Sequence, residues 1–467
     1  MYNLTHFFEI DGNKYALDHR NLFFCLLDED TESALKQGLS GDTLSQSEHS
    51  SAPTIEALIK SGYFISHYPD NPVPNFEYTT LNISFAPVHD CNFACKYCYA
   101  KAGEGTHTYQ QNFDESKIDR LLEYIHLDKY SHFQNYKFDF VSGGEPLLNF
   151  PILEYFLKKA RYFDNIHNKK TAVLIVTNGT LLTTENIKTM DEYDVFLGIS
   201  IDGSEEIHNH HRVYKNGCGT FMDVSNGISS LKTSNASSKL KDAWAMTVIT
   251  KDTGSLVDVM ETCISLGFKR MQMQLVRESS NHPLAFNKSD LPTLKEHYKN
   301  LFSHMLDCAK QGDLSRIKMI ANDNDSFGKY LARLLLRLPV FYRCFAGKNK
   351  ISVNANGEIY PCDSFCGTKD FCMGTLDDSE NDDTIVNIFQ QAHIQNRKQC
   401  SKCWAKHICG GDCFYNSYLA NGNIYDPDPI ICEMNRFFIE HAIDLLIKLQ
   451  EMDINHIEYF AKFLRLR

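Results

Sequence analysis

Three closely spaced cysteines are the residues in this sequence with the clearest chemistry. Cys91, Cys95 and Cys98 follow the apolar run Leu81–Pro87 with the spacing CX3CX2C. Three thiolates can hold three irons of a four-iron, four-sulfur cluster and leave the fourth iron without a protein ligand. An open iron can bind a small chelating molecule. The other interpretations are three unrelated thiols, or a zinc site that lacks one ligand.

A second array of cysteines lies in the last part of the chain. Nine of the sixteen cysteines lie from Cys344 onward. A predicted hairpin leads through Gly357 to Cys362, and an isolated Cys432 follows a CX2CX5CX3C run. That run consists of Cys400, Cys403, Cys409 and Cys413. Because clustered cysteines in a reducing compartment indicate metal rather than disulfides, we expect the array to bind zinc or iron–sulfur clusters.

The elements around the first cysteines alternate between strand and helix. The predicted strands are Leu81–Pro87, Lys137–Val141, Ala172–Thr177, Val195–Ile201, Ala243–Thr250 and Arg270–Leu275. The predicted helices are Glu115–His126, Ile152–Phe163, Thr184–Met190, Met222–Leu231, Ser255–Leu266 and Pro292–Lys310. Six such units favour a parallel sheet with right-handed crossovers, either an open doubly wound sheet or a partial barrel. Either form collects reactive groups at the C-terminal ends of the strands.

The first cysteine motif, with Tyr97 before its last cysteine, resembles the cluster loop of the radical S-adenosylmethionine (radical SAM) enzymes. Gly143-Gly144-Glu145-Pro146 is similar to the family's Gly-Gly-Glu motif. Its glycines permit close backbone approach, and Glu145 could accept hydrogen bonds from the ammonium group of SAM. The resemblance implies a partial (βα)6 barrel. It also implies cleavage of SAM to a 5′-deoxyadenosyl radical that takes hydrogen from a substrate, with an electron donor such as flavodoxin or ferredoxin.

Three further residues are expected at the SAM site. Asn178 and Ser200 lie at the ends of the third and fourth predicted strands, where they could contact the ribose or help position the substrate. The alternative is turn chemistry, which favours the Asn-Gly and Asp-Gly pairs found there. Arg212 ends a stretch similar to the family's His-Asn/Asp-x-x-Arg segment, and we expect it to face a carboxylate of SAM or of the substrate. The alternative for Arg212 is a surface arginine.

The second array resembles the SPASM domain, a C-terminal module of radical SAM enzymes that holds two auxiliary four-iron clusters. The resemblance covers Asn82 to Cys432 and implies three clusters in all. The implied outer ligands are Cys400, Cys403, Cys409 and Cys432. The implied inner ligands are only three: Cys344, Cys362 and Cys413. Either Cys366 or Cys372 supplies a fourth ligand, or one iron is open to a substrate thiolate, or both cysteines are free thiols.

One carboxylate within this array is a candidate catalytic residue. Asp363 comes directly after Cys362. In the anaerobic sulfatase maturases, which the array resembles, an aspartate at this place removes a proton from the substrate. The resemblance implies the same role here. The alternative is a loop carboxylate that accepts backbone hydrogen bonds.

The first 76 residues predict a separate small domain. Three short strands at Phe7–Ile10, Tyr15–Leu17 and Leu22–Leu27 precede a helix at Ile55–Ile59, and the proline-rich Ser66–Phe76 predicts a linker. This layout resembles the winged domains that bind a leader peptide as an added strand; the alternative is a structural extension. We therefore predict a recognition-like domain at 1–76, the barrel at 77–320, and the SPASM domain with C-terminal helices at 321–467.

The charge and hydropathy of the sequence exclude some classes of binding partner. The formal net charge of −12 argues against a nucleic-acid partner, and no apolar run is long enough to span a bilayer. The N-terminus has no signal-peptide pattern, so we expect a cytoplasmic protein.

The leading hypothesis is a maturase that forms thioether crosslinks in a ribosomally made, cysteine-containing precursor peptide. The alternatives are a sulfatase-type maturase that oxidises Cys or Ser to formylglycine, a carbon–carbon crosslinking enzyme, a peptide epimerase, and a non-catalytic zinc scaffold.

Overall fold

A computed structural model of the protein describes residues 5–40, 52–65, 73–74, 76–100, 112–127, 129–141, 143–378 and 383–465. Residues 41–51, in the polar stretch between the predicted strands and the predicted helix Ile55–Ile59, and most of the predicted linker Ser66–Phe76 lie outside these ranges. Within the described ranges, no helix combines the length and the apolarity needed to cross a bilayer.

The chain forms two compact units. The first unit contains Met1–Asn75, Leu291–Cys344 and Ala392–Arg467, and the second contains Phe76–Asp290 and Phe345–Gln391. These units differ from the three consecutive domains predicted from the sequence. The difference arises because the segment Phe345–Gln391 carries strands that pair with the large sheet, whereas the N-terminal strands contact the C-terminal helices.

Eleven strands are described. They are β1 (Thr5–Ile10), β2 (Asn13–Asp18), β3 (Phe23–Leu27), β4 (Thr80–Phe85), β5 (Asn135–Phe140), β6 (Lys170–Thr177), β7 (Phe196–Ser200), β8 (Trp244–Ile249), β9 (Arg270–Leu275), β10 (Lys350–Val353) and β11 (Ile359–Tyr360). Strands β1, β2 and β3 form an antiparallel meander in the first unit. All the others form one sheet in the second unit.

The helices within the described ranges are α1 (Glu29–Ser40), α2 (Ala52–Lys60), α3 (Glu115–Leu127), α4 (Phe150–His167), α5 (Thr184–Glu192), α6 (Glu205–His211), α7 (Phe221–Thr233), α8 (Ser238–Lys241), α9 (Leu256–Ser265), α10 (Leu291–Lys310), α11 (Ser315–Ile320), α12 (Gly328–Leu335), α13 (Asp383–Gln391), α14 (Lys398–Ser401), α15 (Lys406–Cys409), α16 (Phe414–Asn421), α17 (Pro429–Met452) and α18 (Ile454–Arg465). The sequence analysis did not predict α1, because its composition is largely polar and its apolar positions are few.

The large sheet confirms the predicted α/β fold. Its strand order is β11-β10-β4-β5-β6-β7-β8-β9, and the six strands β4 to β9 are all parallel. Strand β10 adds to the β4 edge in parallel, and β11 pairs antiparallel with β10. Parallel strands place the loops that follow them at one edge of the sheet, so the predicted site residues after β4, β5, β6 and β7 share that edge.

An aromatic cluster fixes the strands that carry the first cysteine loop. Phe85 of β4 lies 4.6 Å from Phe140 of β5, and Phe156 of α4 lies 4.7 Å from Phe138, measured between ring centroids. All four side chains are buried. Because burying one such side chain stabilises a fold by about 1.5–3 kcal/mol, this cluster holds the ends of β4 and β5 firmly in register.

The first unit has its own core. Residues of the meander and of α1 and α2 form one apolar cluster, which includes Ala16, Leu35, Ile55 and Phe64. The hydroxyl of Tyr15 donates a 2.6 Å hydrogen bond to Asp444 of α17. The N-terminal meander therefore contacts the long C-terminal helix within the first unit.

Candidate functional site

The loop that carries Cys91, Cys95 and Cys98 follows β4 and is held by the segment after α6. The backbone amide of Ala94 donates to the carbonyl of Val213 at 2.8 Å, and that of Lys96 donates to the carbonyl of His211 at 3.0 Å. These two hydrogen bonds fix the backbone between the cysteines, so the loop has one defined course.

The three thiols of this loop lie together. Each of Cys91 and Cys95 interacts electrostatically with the other thiols of the set. Burial is the main cause that raises the pKa of Cys91 to about 11 and that of Cys95 to about 12. Since a metal-bound thiol is deprotonated, a bound cation would stabilise the thiolates that burial disfavours. The donor set therefore fits an iron–sulfur cluster with three protein ligands.

The Gly143-Gly144 turn packs directly against the start of the cysteine loop. The amide of Gly144 donates to the carbonyl of Val88 at 3.0 Å, and the amide of Glu145 donates to that of Asp90 at 2.9 Å. A Cβ atom at Gly144 would lie 1.7 Å from the carbonyl oxygen of Asp90. Only glycine permits this approach without displacing the backbone of Asp90.

Replacing Gly144 by alanine is expected to lower the free energy of unfolding by about 3 kcal/mol, because the new methyl group meets backbone that cannot move aside. SAM binding, measured by equilibrium dialysis, should fall with it. Gly254→Ala is the matched control: it has a positive φ of 69° but no atom within 4 Å of the added Cβ. We expect the control to cost only about 1–2 kcal/mol from backbone strain. Equal stability of the two variants would contradict the packing argument.

Glu145 connects the ends of β5 and β6. Its carboxylate accepts hydrogen bonds from the Leu147 amide at 3.1 Å, the Thr177 hydroxyl at 2.6 Å and the Asn178 amide at 2.7 Å. Burial raises the pKa of Glu145 to about 7 despite these donors. The adjacent Pro146 is also buried and begins a short helical turn. Three protein donors thus contact the carboxylate that we expect to receive the ammonium group of SAM.

Asn178 contacts the cysteine loop directly. Its amide nitrogen donates to the side-chain oxygen of Asn92 at 2.7 Å, and its side chain also hydrogen-bonds the thiol of Cys91. Its own side-chain oxygen accepts from Thr180. Asn178 therefore lies beside the candidate cluster. Ser200, half-buried at the end of β7, pairs with Met246 of β8, and its hydroxyl makes no hydrogen bond within the described part of the chain.

Arg212 has a different partner from the one expected. Its guanidinium forms two hydrogen bonds to Asp202, at 2.9 and 3.2 Å, and both residues are buried. Tyr97 donates its hydroxyl to the same carboxylate, and the guanidinium lies over the Tyr97 ring at 5.4 Å. The carboxylate that Arg212 faces in the structure is thus Asp202, just after β7, and Arg212 is not a surface arginine; a contact of Arg212 with a carboxylate of SAM or of the substrate stays a prediction.

The contacts among Arg212, Asp202 and Tyr97 hold Tyr97, the aromatic residue before the last cysteine of the motif, in place. Burial acts to raise the pKa of Asp202, but the charge of Arg212 outweighs it and holds the pKa below its ordinary value. The carboxylate also accepts the Val248 amide at 3.0 Å. Asp202 is thus ionised and accepts hydrogen bonds from Arg212, Tyr97 and the Val248 amide. Its hydrogen bond holds the side chain of Tyr97, which lies between Cys95 and Cys98 in the sequence.

Asp363 lies in a charged group that includes a neighbour of the cysteine loop. Lys350 of β10 forms a 2.8 Å ion pair with it. Burial alone would raise the pKa of Asp363, but Lys350 and Arg277 outweigh burial and lower it. Tyr99, which follows Cys98, is close enough to Asp363 for the carboxylate to raise the Tyr99 pKa, after burial. Asp363 is therefore an ionised carboxylate near the candidate SAM cluster.

Two further thiols lie beside Asp363. Cys366 hydrogen-bonds the side chain of Ser352 on β10, and burial raises its pKa to about 12. Asp363 and Cys372 both interact with it electrostatically. The Cys372 thiol donates to the carbonyl of Gly374 at 3.5 Å. Neither cysteine is an isolated loop thiol, and either remains a candidate for the missing inner ligand.

The predicted inner ligands come from both compact units. Cys344 and Cys413 belong to the first unit and are half-buried, whereas Cys362 belongs to the second and is buried. Their joint role as ligands of one cluster stays a prediction.

The predicted outer ligands line one cavity of about 130 Å³ in the first unit. Its cysteines are Cys400, Cys403, Cys409 and Cys432. Burial raises the pKa of Cys400 to about 12 and also raises that of Cys432. The side-chain amide of Asn435 donates to the Cys409 sulfur at 3.6 Å. Four thiols around one cavity, two of them buried and two half-buried, with a hydrogen-bond donor to sulfur, fit a metal centre with four thiolate ligands.

Sequence reasoning missed three residues of the second unit's site. Asp202 was included only in the turn after the fourth predicted strand, with ligand contact and turn chemistry as the alternatives, and its pairing with Arg212 was not foreseen. Tyr99 follows Cys98 directly, which could have drawn attention to it. Lys350 had no signal in the sequence, because its significance depends on the pairing of β10 with β4 and on the position of Asp363.

The family described as "Radical SAM superfamily" matches residues 86–240. A cysteine-type anaerobic sulfatase-maturating enzyme of Clostridium novyi is 25% identical over 378 residues, which cover 76% of this chain and 93% of that protein. The radical SAM cyclopropyl synthase TigE of Paramaledivibacter caminithermalis is 21% identical over 371 residues, covering 76% and 72%. The match to the family includes the cysteine loop, the Gly-Gly turn and Asp202.

A solved structure supports the same fold. Native anSMEcpe with bound AdoMet and Cp18Cys peptide superposes with a TM-score of 0.65 at 21% identity, covering 80% of this chain and all of that chain. The parallel sheet and the cysteine loop after β4 agree with this likeness. Residues 86–240 are therefore a radical SAM domain, and the chain is a radical SAM enzyme related to the anaerobic sulfatase-maturating enzymes.

Proposed function

We propose that this enzyme is a maturase that forms thioether crosslinks between cysteine sulfur and an unactivated carbon of a ribosomally made precursor peptide. The observation that carries the proposal is the N-terminal meander β1–β3 with its helices. The match to the anSMEcpe structure covers all of that chain but only 80% of this one. About a fifth of this chain therefore has no counterpart in that structure. We assign that extra part to the meander, which precedes the matched radical SAM domain.

The meander offers a way to bind a peptide. Strands β1 and β3 each pair only with β2 within the described residues, so each has an outer edge without a strand partner. An extended leader peptide would add a strand to one of these edges through main-chain hydrogen bonds. The contact between Tyr15 and α17 would hold this peptide-binding element on the first unit while the core of the peptide is modified.

The residues of the second unit would then serve the reaction. Cys91, Cys95 and Cys98 would hold the cluster, which together with SAM would supply the radical chemistry that removes hydrogen from the acceptor carbon. Asp363 would accept the proton of the substrate thiol, and Lys350 would keep the carboxylate ionised and oriented. We further propose that Tyr97, Asn178, Ser200 and the Gly143–Pro146 turn shape the SAM pocket. The auxiliary centre of the first unit would receive the electron that remains after the carbon–sulfur bond forms.

Mass analysis of the product tests the proposal. The reconstituted enzyme, with SAM and a chemical reductant, is incubated with cysteine-containing precursor peptides encoded beside its gene. A thioether removes two hydrogens and makes one thiol resistant to alkylation. A product that has lost two hydrogens but whose cysteines are all still alkylated would point to a carbon–carbon crosslink, and unchanged mass with inverted stereochemistry would point to an epimerase. Either result would overturn the thioether assignment.

The second candidate is oxidation of Cys or Ser to formylglycine. Asp363, ionised beside Tyr99 and the cysteine loop, favours it, because that reaction also needs a base near the radical. A cysteine-containing sulfatase peptide, assayed in parallel, distinguishes the two. An aldehyde that reacts with a hydrazide probe would establish this second activity.

Replacing Asp363 by asparagine is expected to lower the rate of product formation by about 10²–10⁴-fold, because the variant has no base at this position. Cleavage of SAM should continue, since Asp363 is not a ligand of the SAM cluster, so the ratio of 5′-deoxyadenosine to product should rise. Asp370→Asn, in the exposed part of the same loop, is the control and should behave as the parent. An unchanged rate in Asp363→Asn would exclude the base role.

A further inference from the structure

Two histidines and an aspartate of the second unit bring metal-binding side chains together without any cysteine. His210 and His211 end α6, and Asp252 lies in the turn after β8. One ligand atom of each residue lies within 4.8 Å of the other two. Oδ2 of Asp252 is 3.8 Å from Nε2 of His210 and 3.9 Å from Nε2 of His211. Two separate elements of the fold thus converge on one small group of nitrogen and oxygen donors.

The separations between these atoms suit a divalent transition metal. Imidazole nitrogens and carboxylate oxygens lie about 2.0–2.2 Å from a zinc ion, so tetrahedral ligands are about 3.4 Å apart. The observed distances exceed this value by less than 1 Å. The side chains of His210 and Asp252 are 54% and 41% exposed, so both can rotate towards an ion. Three protein ligands would leave the remaining position to water.

The ligands also have suitable charges. Burial, and then the neighbouring His210, lowers the pKa of His211, so its imidazole stays in the neutral form that binds metals. Within the described ranges, no lysine or arginine forms an ion pair with Asp252, whose partners are the two histidines. A bound cation would therefore meet a neutral imidazole and a carboxylate that no other fixed cation occupies.

The protein positions the ring of His211 but does not use all of its hydrogen-bonding capacity. Nε2 bonds the hydroxyl of Thr250 at 2.9 Å, whereas Nδ1 is buried and has no partner among the described residues. The Thr250 hydroxyl has an alternative partner in Thr253, at 3.3 Å, and it also accepts the amide of Asp252. Nε2 can thus turn to a metal ion while Thr250 stays hydrogen-bonded, and the same threonine fixes the backbone of Asp252.

This group of side chains is continuous with the cysteine loop. The carbonyl of His211 accepts the amide of Lys96 at 3.0 Å, and its ring lies 5.5 Å from that of Tyr97, measured between centroids. Lys96 and Tyr97 lie between the second and third cysteines of the loop. An ion that joins the end of α6 to the turn after β8 would therefore restrain the residue that holds this part of the loop.

We propose that His210, His211 and Asp252 bind a divalent transition-metal cation such as Zn²⁺, and that the bound ion stabilises the backbone of the cysteine loop. The ion is structural: it links two elements and takes no part in the cleavage of SAM. The inference does not depend on which bond the enzyme forms, so the thioether assignment and the metal site fail separately.

Zinc titration of the full chain, loaded with its iron–sulfur clusters and freed of loosely bound metal under anaerobic conditions, tests the proposal. His210→Gln and Asp252→Asn are each expected to weaken the binding of about one zinc ion per chain by tenfold or more. His132→Gln and Asp258→Asn replace an exposed histidine and an exposed aspartate elsewhere in the same unit, and they should bind zinc as the parent does. All four replaced side chains are exposed, so the variants should fold.

X-ray absorption at the zinc edge distinguishes this site from zinc bound to cysteines. The proposed ligands give distances of about 2.0–2.2 Å, whereas sulfur ligands give about 2.3 Å. Equal affinities in all five proteins, equal weakening in the two control variants, or a zinc spectrum dominated by sulfur would each overturn the site.

Hydrogen exchange of residues 94–98 tests the effect on the cysteine loop. Zinc should slow exchange of the Lys96 amide in the parent but not in His210→Gln, because the ion restrains the carbonyl that accepts this amide. Zinc that binds with nitrogen and oxygen ligands but leaves exchange unchanged would overturn the stabilising role.

Discussion

Simultaneous replacement of Cys91, Cys95 and Cys98 by alanine is expected to lower the iron content of anaerobically purified protein from about twelve to about eight per chain. The variant should also lose all SAM cleavage. The structure supports this expectation, because the three thiols interact with one another, and the other side chains that act on Cys91 and Cys95 are Glu145, Asn178, Arg212 and Asp202, none of which is a thiol. No other thiol of the loop can replace a missing ligand.

The measurement combines iron, sulfide and zinc analysis with detection of 5′-deoxyadenosine. Cys218→Ala/Cys308→Ala is the control, since neither residue belongs to a predicted ligand set, and it should retain the full iron content. A decrease to about eight irons would also establish that the two auxiliary sites load independently of the SAM site. Unchanged iron in the triple variant, or zinc in place of iron in the parent, would contradict the assignment.

The cysteine loop could be predicted because its information is local. Three ligands within eight residues depend on a short backbone segment, and the spacing is visible in the sequence. The strands and helices of the barrel were also predictable, because their apolar periodicities repeat over each element; β9 begins and ends at the predicted residues. The glycines at 143 and 144 could be interpreted through a close backbone contact, although only the structure identifies Asp90 as the contacted residue.

The partners of charged residues could not be predicted in the same way. Arg212 and Lys350 were each free to face solvent, ligand or protein as far as the sequence shows. Their actual partners, Asp202 and Asp363, depend on which strand ends lie side by side. The division into two compact units was missed for the same reason, because it depends on contacts between segments separated by hundreds of residues.

The two candidate metal sites with cysteine ligands have different electrostatic surroundings. Near the SAM cysteines, the positive charge of Arg212 is matched by the carboxylate of Asp202, and Glu145 is close to Cys91. Near the outer cavity, Arg333 of α12 donates to the carbonyls of Ile408 and Cys409, and burial lowers the pKa of Lys329 well below its ordinary value.

Replacing Arg212 by methionine is expected to lower the free energy of unfolding by about 3–5 kcal/mol. The change leaves the buried carboxylate of Asp202 without the one cationic partner that the described residues place at hydrogen-bond distance, whereas the methionine side chain still fills much of the space. It also removes the cation over the Tyr97 ring, so the cysteine loop should bind its cluster less firmly. Chemical denaturation of the metal-free protein measures the first effect, and iron retention against a chelator measures the second.

Two further variants separate charge from packing. Asp202→Asn combined with Arg212→Met removes the unpaired charge and should recover a substantial part of the lost stability, because a neutral amide is much less costly to bury than a carboxylate. Arg120→Met breaks the exposed pair with Asp377 and should cost no more than about 1 kcal/mol. If Arg212→Met were as mild as Arg120→Met, the Asp202 pair would not hold the fold together. Arg212 would then have to be reconsidered as a ligand-facing residue, as its sequence context first indicated.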